Sequence, residues 1–465
     1  MRKTKIVCTI GPASNDEQKI KSLIESGMNV ARVNMSHGTN EEHIQTIRMI
    51  KRVREQIKKP VGIMVDLKGP EIRIGKFEKN KITLKQGNKF IFDTSSKLGD
   101  EKRIGISNDK IFLAIKKGQK LLLADGSVEM VVEEVKGKIA LCKVTSGGVL
   151  SNNKSINFPG LDFQMEYLSE VDKLDILMAI SEGVEFLALS FVQNKNNVFS
   201  TRKFIEKNGG GNIKLIAKIE SKSGVKNMDE IIDEADGVMV ARGDLGVEVD
   251  FVKLPHIQNQ MLAIAQKKHK LSITATQMLV SMVKESRPTR AEITDVANAI
   301  LGGSGAVMLS EETAVGKHPS LCVKTIAKIA IECEKHISQT DVSFGKQNNK
   351  FGGMCLAAVS AAYKSKVKSI IVATGSGRSA EEISAYRPKA NIYAFTPNEQ
   401  SFNQMSLYFG VDSLMIDVAS TSKKLWEKIN AELLSQKVAR KAETIVYVAG
   451  DPSSMENSIM EIKMV

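Results

Sequence analysis

The chain has 465 residues, 42% of them hydrophobic and 5% aromatic, and carries a formal net charge of +13. That length exceeds one typical core, so two or three domains are expected. No apolar run is long enough to span a bilayer, and Met1 to Lys5 leads straight into a strand-like run rather than a secretory leader.

Cys8, Cys142, Cys322, Cys333 and Cys355 are scattered, without CxxC or metal-ligand spacing, which fits a reducing cytoplasm. The lysines are dispersed over helix faces and turns, with no dense basic block interleaved with aromatics. No nucleic-acid partner and no membrane partner are expected; the charge excess suits attraction of anionic metabolites.

In chain order, residues 3–10 read as a strand, and 16–26 as a helix with Ile20, Leu23 and Ile24 facing inward. A second strand, 28–35, ends in Arg32, Asn34, Ser36 and His37, and a long helix opens at Asn40. A third strand, 61–67, ends in Asp66-Leu67-Lys68-Gly69-Pro70. The rhythm then breaks: from about 71 to 157, short alternating runs punctuated by Gly87, Gly118, Gly126 and Gly137 predict an inserted all-β unit.

Alternation resumes with a helix at Ser169 and a strand over 186–191. Next comes the stretch around which the chemistry gathers. Leu215 to Glu220 reads as a strand, 223–235 as one helix with Val225, Met228, Ile231 and Ile232 on a face, and 237–244 as a strand ending in Arg242-Gly243-Asp244. Lys218 and Glu220 share one strand face while Ile219 takes the other. Strands over 271–276 and 306–309, each preceded by a helix, complete eight β/α units, the pattern of a (β/α)8 barrel. The expected carboxyl ends carry Asn34, Ser36, Asp66, Ser190, Lys218, Glu220, Asp244, Thr276 and Ser310. Polar groups at nearly every strand end converge on one mouth.

After a polar linker over 338–352, strands at 369–373, 391–395, 413–417 and 444–448 alternate with helices, predicting a separate doubly wound α/β domain. There is no Walker-type phosphate loop and no Gly-x-Ser-x-Gly elbow, and His37 has no evident nucleophile partner. Cations, carboxylates and small hydroxyls at one mouth suit phosphoryl transfer assisted by a divalent metal. Thr374-Gly375-Ser376-Gly377-Arg378-Ser379, between a strand and a helix, reads either as a plain turn or as an anion-binding loop.

These residues resemble the pyruvate kinase family. The matches include Thr4-Lys5-Ile6-Val7-Cys8-Thr9-Ile10-Gly11-Pro12, Ala31-Arg32-Val33-Asn34-Met35-Ser36-His37-Gly38, Asp66-Leu67-Lys68-Gly69-Pro70-Glu71-Ile72-Arg73, Lys218-Ile219-Glu220, Ala241-Arg242-Gly243-Asp244, Thr274-Ala275-Thr276-Gln277-Met278 and Arg287-Pro288-Thr289-Arg290. The resemblance implies a catalytic barrel over 1–70 and 157–340, an inserted lid over 71–156 and a regulatory domain over 341–465. It implies phosphate transfer from phosphoenolpyruvate to ADP, the last step of glycolysis, in a cytoplasmic homotetramer. Catalysis would fall to Lys218, Arg32, Arg73, Thr276 and Ser310, and substrate binding also to Ser190, Ala241, Arg242, Gly243 and Asp244. Glu220 and Asp244 would bind Mg²⁺ or Mn²⁺; Asn34, Ser36, Asp66 and Leu67 would hold K⁺. ADP would lie near Asn34, His37, Arg73 and Asp125, under the lid, and a phosphorylated effector at Thr374 to Ser379.

Two departures stand out. Gly302-Gly303-Ser304-Gly305 replaces the usual Asp-Gly-Thr-Asp, and Glu311 replaces the Gly of Ser-Gly-Glu-Thr; both are expected beside the mouth. The loop Gly450 to Met455 is short and lacks the Trp and Arg that grip fructose bisphosphate in some relatives. Competing readings are a Mg²⁺-enolate barrel of aldolase type, needing no nucleotide, and a nucleic-acid-binding protein on an inherited barrel.

Overall fold

A computed structural model of the chain describes residues 2–124, 126–161, 166–337, 350–450 and 458–465. Asp125 and most of the loop after Gly450 lie outside the described residues, as does most of the expected linker.

Eight strands form a closed parallel barrel: β1 (Lys5–Thr9), β2 (Val30–Asn34), β3 (Gly62–Asp66), β4 (Phe186–Leu189), β5 (Lys214–Ile219), β6 (Gly237–Ala241), β7 (Leu271–Ala275) and β8 (Ala306–Leu309). Each pairs with its neighbours in chain order, and β8 closes onto β1 with Lys5 opposite Ala306. The strands are short and apolar on both faces, as a sheet wrapped in helices requires. Four surrounding helices begin with reciprocal capping boxes, Thr39 with Glu42, Ser169 with Asp172, Asn194 with Asn197, and Thr289 with Glu292. Each satisfies amide donors that would otherwise be stranded at the helix start.

One expected helix is two. Residues 223–235 form Lys222–Lys226 and Met228–Glu234, broken at Asn227. Gly224 presses so close to the Val192 carbonyl that a Cβ there would lie 2.6 Å from its oxygen. The Asn227 side chain then donates to Gln193 O, so the first turn docks on the loop after β4 and a new helix starts in another direction.

Between β3 and β4 the chain builds a six-stranded sheet and a two-stranded sheet around a core that includes Phe77, Phe90, Phe92, Leu121, Leu123, Met130 and Cys142. Three of its strands, Arg103–Gly105, Gly148–Ser151 and Ile156–Asn157, were not expected from the sequence; the first and last, at three and two residues, are too short to show a period. This lid leaves and rejoins the barrel at neighbouring points: Arg73 bridges to Ser155, and Ile156 N donates to Ile72 O.

The C-terminal sheet has the order β11-β10-β9-β12-β13, with β9 (Ser369–Ala373), β10 (Asn391–Thr396), β11 (Val411–Met415), β12 (Thr444–Gly450) and β13 (Ser458–Met464). The first four are parallel and β13 runs antiparallel on the edge. Here β11 begins two residues before the expected strand, and neither β13 nor the helix Glu399–Gln404 was anticipated. Buried residues of the barrel strands, among them Met64, Phe186, Ile216 and Met239, share one core with Ile370, Val372, Met405 and Tyr408 of this domain. The C-terminal domain therefore packs on the amino end of the barrel and leaves the carboxyl end to the lid. Among the described residues no helix is long and apolar enough to cross a membrane, and all five thiols are unpaired and buried.

Candidate active site

The carboxyl ends of β2 to β8 bring the expected residues to one mouth. Lys218, near the end of β5, is 9% exposed, and its ammonium lies 3.1 Å from Asp66 Oδ1, 3.1 Å from Glu220 Oε1 and 2.8 Å from Ser190 Oγ. Burial alone would discharge it, but Asp66 and Glu220 outweigh that and hold its pKa above the usual lysine value. Arg32 meets the same Asp66 carboxylate, with Nε to Oδ2 at 2.7 Å, and Nη1 donates to Thr9 Oγ1 at 2.9 Å. Burial opposes ionisation of Asp66, yet Lys218 and Arg32 overcome it and keep the carboxyl below its ordinary range.

Asn34 lies opposite Asp66 in the β2–β3 register, so their side chains end side by side. Ser36 N donates to Asn34 Oδ1 at 3.2 Å, and Ser190 Oγ donates to Leu67 O at 2.7 Å. Asn34, Ser36, Asp66 and the Leu67 carbonyl thus form an all-oxygen donor set with a single carboxylate. That chemistry fits a large, weakly hydrated monovalent cation.

Glu220 follows β5 and is 1% exposed, with Oε2 accepting from Phe191 N at 2.8 Å. Burial pushes its carboxyl up to about 7, with Lys218 opposing and the neighbouring Asp244 adding to the rise. A buried carboxylate whose charge is further discouraged by a neighbouring Asp244 is a donor that a divalent cation would relieve, so the pair fits such an ion. Among the described residues no group of three or more His, Cys, Asp and Glu is gathered for a metal, so further ligands would come from substrate and water. Asp244 sits on a short helix, Arg242–Glu248, that opens where β6 ends.

The loop after β7 is strained. Thr276 and Gln277 have φ of 67° and 55°, two consecutive side-chain-bearing residues in the left-handed region. Partners pin them: Gly243 N donates to Thr276 Oγ1 at 2.9 Å, and Arg242 Nη2 donates to Thr276 O at 2.6 Å. The rest of the Arg242 guanidinium is committed to Asp295, at 2.7 and 2.8 Å. Arg242 therefore braces the loop, its guanidinium engaged by protein partners. Ser310 Oγ, after β8, is buried with no hydrogen-bond partner among the described residues.

Arg73 stands at the lid's root, its guanidinium on Glu71 Oε2 and Asn153 O. It lies close enough to His37 that, after desolvation, it is the main cause of a depressed histidine pKa, with Lys154 and Arg32 adding to it. The Thr374 to Ser379 loop is a tight turn with Gly377 at φ 77°, its amide donating to Thr374 Oγ1 at 3.0 Å before the helix Arg378–Ala385. The Arg378 guanidinium lies 4.9 Å from the Phe351 ring centre.

One departure was misplaced by sequence reasoning. Gly302 to Gly305 precede β8 and so sit at the amino end of the barrel, where Arg387 of the C-terminal domain donates to Ser304 O. The changed turn faces that domain and not the mouth. Glu311 is exposed, and its neighbour Glu312 is buried, bridging Leu279 N and Ser310 N. Sequence reasoning also missed Asp295, Glu312 and Tyr167, whose hydroxyl donates to Ser190 O at 2.9 Å. Each acts by holding another site residue, and no local spacing announces that.

A closed barrel with a lid, a caged lysine and paired carboxylates at its mouth defines a barrel phosphotransferase. The family descriptions "Pyruvate kinase, barrel domain" and "Pyruvate kinase, alpha/beta domain" match residues 1–323 and 353–462. A pyruvate kinase of Clostridium acetobutylicum is 36% identical over 469 residues, covering 100% of this chain and 99% of that protein. Another, of Sporosarcina psychrophila, is 40% identical over 458 residues, covering 97% of this chain and 78% of its own length. The crystal structure of a pyruvate kinase from Cryptosporidium parvum superimposes with a TM-score of 0.93 at 36% identity, covering 100% of this chain and 96% of that one. The chain belongs to the pyruvate kinase family, and its function is that of a pyruvate kinase, a phosphotransferase.

Proposed function

We propose that the barrel mouth moves the phosphoryl group of phosphoenolpyruvate to ADP under the control of Lys218. The observation that carries this is the buried ammonium caged by Asp66, Glu220 and Ser190. Charge builds on the phosphoryl oxygens as the group leaves one oxygen for another, and a fixed cation stabilises that charge without reorganising. Arg32 and Arg73 take the remaining oxygens. Backbone amides of Ala241 to Asp244, with Thr276, seat the substrate's carboxylate. Ser190 keeps Lys218 aimed.

Glu220 and Asp244 hold Mg²⁺ or Mn²⁺, and Asn34, Ser36, Asp66 and Leu67 hold K⁺. The divalent ion, when bound, supplies Lewis-acid stabilisation to substrate oxygens. ADP lies towards Asn34, His37, Arg73 and Asp125, and lid closure excludes water from the transfer. Thr276 and Ser310 line the side from which the enolate carbon gains its proton; among the described residues the Ser310 hydroxyl has no hydrogen-bond partner. A cytoplasmic homotetramer, regulated by a phosphorylated effector at Thr374 to Ser379, completes the reading.

The test is a coupled assay of pyruvate formed from phosphoenolpyruvate, with and without ADP. Strict dependence on ADP is expected. Pyruvate released equally well without nucleotide would favour a metal-enolate barrel of another kind.

A further inference from the structure

The site described above does not account for the excess positive charge, and the fold concentrates part of it. At the amino ends of β9, β10 and β12, opposite the Thr374 to Ser379 loop, lies a concavity of about 650 Å³. Lys366, Lys368, Lys437, Arg440 and Lys441 line it, all exposed, drawn from two segments some seventy residues apart in the chain. A second hollow of about 440 Å³ shares the Lys366 to Lys368 wall and adds Lys389. Among the described residues none of the five side chains makes an ion pair with a carboxylate. Glu443 is the one carboxylate lining the larger hollow, and its Oε2 accepts from Arg440 N.

Part of this charge has a structural use. Lys366 and Lys437, at φ 53° and 57°, follow the ends of the helices Lys350–Lys364 and Ser422–Ser435 and complement their negative ends. Two helix ends contribute about one negative charge together. With Glu443 included, about three positive charges stay uncompensated around one hollow.

We propose that this groove binds a linear condensed phosphate of three or more units. Four lysines are compact charges on flexible stems and the arginine adds one planar fork for a phosphate, a set spread over a row of phosphates rather than aimed at one planar carboxylate. Tyr393, the ring lining the larger hollow, is half-buried and packed on the domain core, so no stacking platform for bases is offered there. Such a ligand has two sources, an inorganic chain or the triphosphate of a nucleotide.

Equilibrium dialysis of the full chain against tripolyphosphate, with EDTA to keep metal from the barrel mouth, tests this. Saturable binding is expected, at least tenfold tighter than for orthophosphate, and weakening at least tenfold from about 25 to about 200 mM salt. K368A/R440A/K441A should weaken binding at least tenfold while turnover with phosphoenolpyruvate and ADP persists; K441E alone should move affinity the same way. ATP that displaces tripolyphosphate identifies the nucleotide source, and ATP that does not identifies the inorganic one. Absence of saturable binding at low salt, or binding that survives the triple substitution, overturns the proposal. So does a single-stranded oligonucleotide that binds far more tightly through the same residues.

Discussion

Lys218 is charged because its partners outweigh its burial, and that predicts what its removal does. Lys218→Met should lower kcat at least ~10³-fold, about 4 kcal/mol of lost stabilisation, while Mn²⁺ binding and the circular dichroism spectrum persist. Near-normal pyruvate formation would remove Lys218 from the chemistry. Asp175 makes a different case. It lies on the helix Glu170–Ser181, 1% exposed, and among the described residues neither carboxylate oxygen has a hydrogen-bond partner. Burial pushes its carboxyl up to about 6, Lys68 opposing and Asp172 adding. The folded state thus binds a proton that the unfolded state has released between about pH 4 and 6, so Asp175 lowers stability as pH rises through that window. Asp175→Asn should stabilise the fold at pH 7.5 by ~1 kcal/mol after allowance for solvent screening, read as a higher thermal midpoint, and give no gain near pH 4. Equal midpoints at pH 7.5 would show that the carboxylate finds relief in solution.

At the scale of elements, the turn after β3 does two things at once. Gly69 has φ 71°, and a Cβ there would lie 2.9 Å from both Ser190 Cβ and Ser190 O. Gly69→Ala should push Ser190 off Lys218 and lower kcat more than tenfold, with a smaller loss of stability of ~1–2 kcal/mol. Glu71, in the same turn, carries no ammonium that could stand in for a cation, and its carboxylate is taken by Arg73. Activity should therefore be much higher in K⁺ than in tetramethylammonium at equal ionic strength; equal rates would leave Asn34, Ser36 and Asp66 without that task. The Gly377 turn is the proposed seat of an effector phosphate. A phosphomonoester should lower the phosphoenolpyruvate requirement, and Arg378→Ala with Ser379→Ala should erase that shift. A shift that survives the pair makes the turn merely structural. The barrel strands were legible because each is an apolar run closed by a polar residue. Three lid strands, Arg103–Gly105, Gly148–Ser151 and Ile156–Asn157, were not, and the two residues of the last have no period to read. Nor could spacing show that Arg242 turns to Asp295, or that Gly302 to Gly305 lie at the far end from the mouth.

At the scale of the molecule, the C-terminal domain grips the strand that carries Lys218. Glu381, on the helix opened by the Gly377 turn, holds Lys214 at 2.9 Å through both oxygens, and Lys214 starts β5. Beside it His269 meets Glu382 at 2.7 Å. Tilting that helix bears on β5 directly, a route from turn to mouth that only the packed structure displays. The lid is joined quite differently. Its two connecting segments run side by side, tied by the Arg73–Ser155 bridge and the Ile156 to Ile72 hydrogen bond. It is consequently a detachable cassette: cutting within the neighbouring ends and rejoining them with a short Gly-Ser link spares every barrel strand. A lidless chain should fold, keep its affinity for Mn²⁺, and lose ADP-dependent transfer. With the mouth open to solvent it should instead lose phosphate from phosphoenolpyruvate to water, read as orthophosphate release without ATP. A lidless enzyme that still made ATP efficiently would show that the barrel alone shields the moving group.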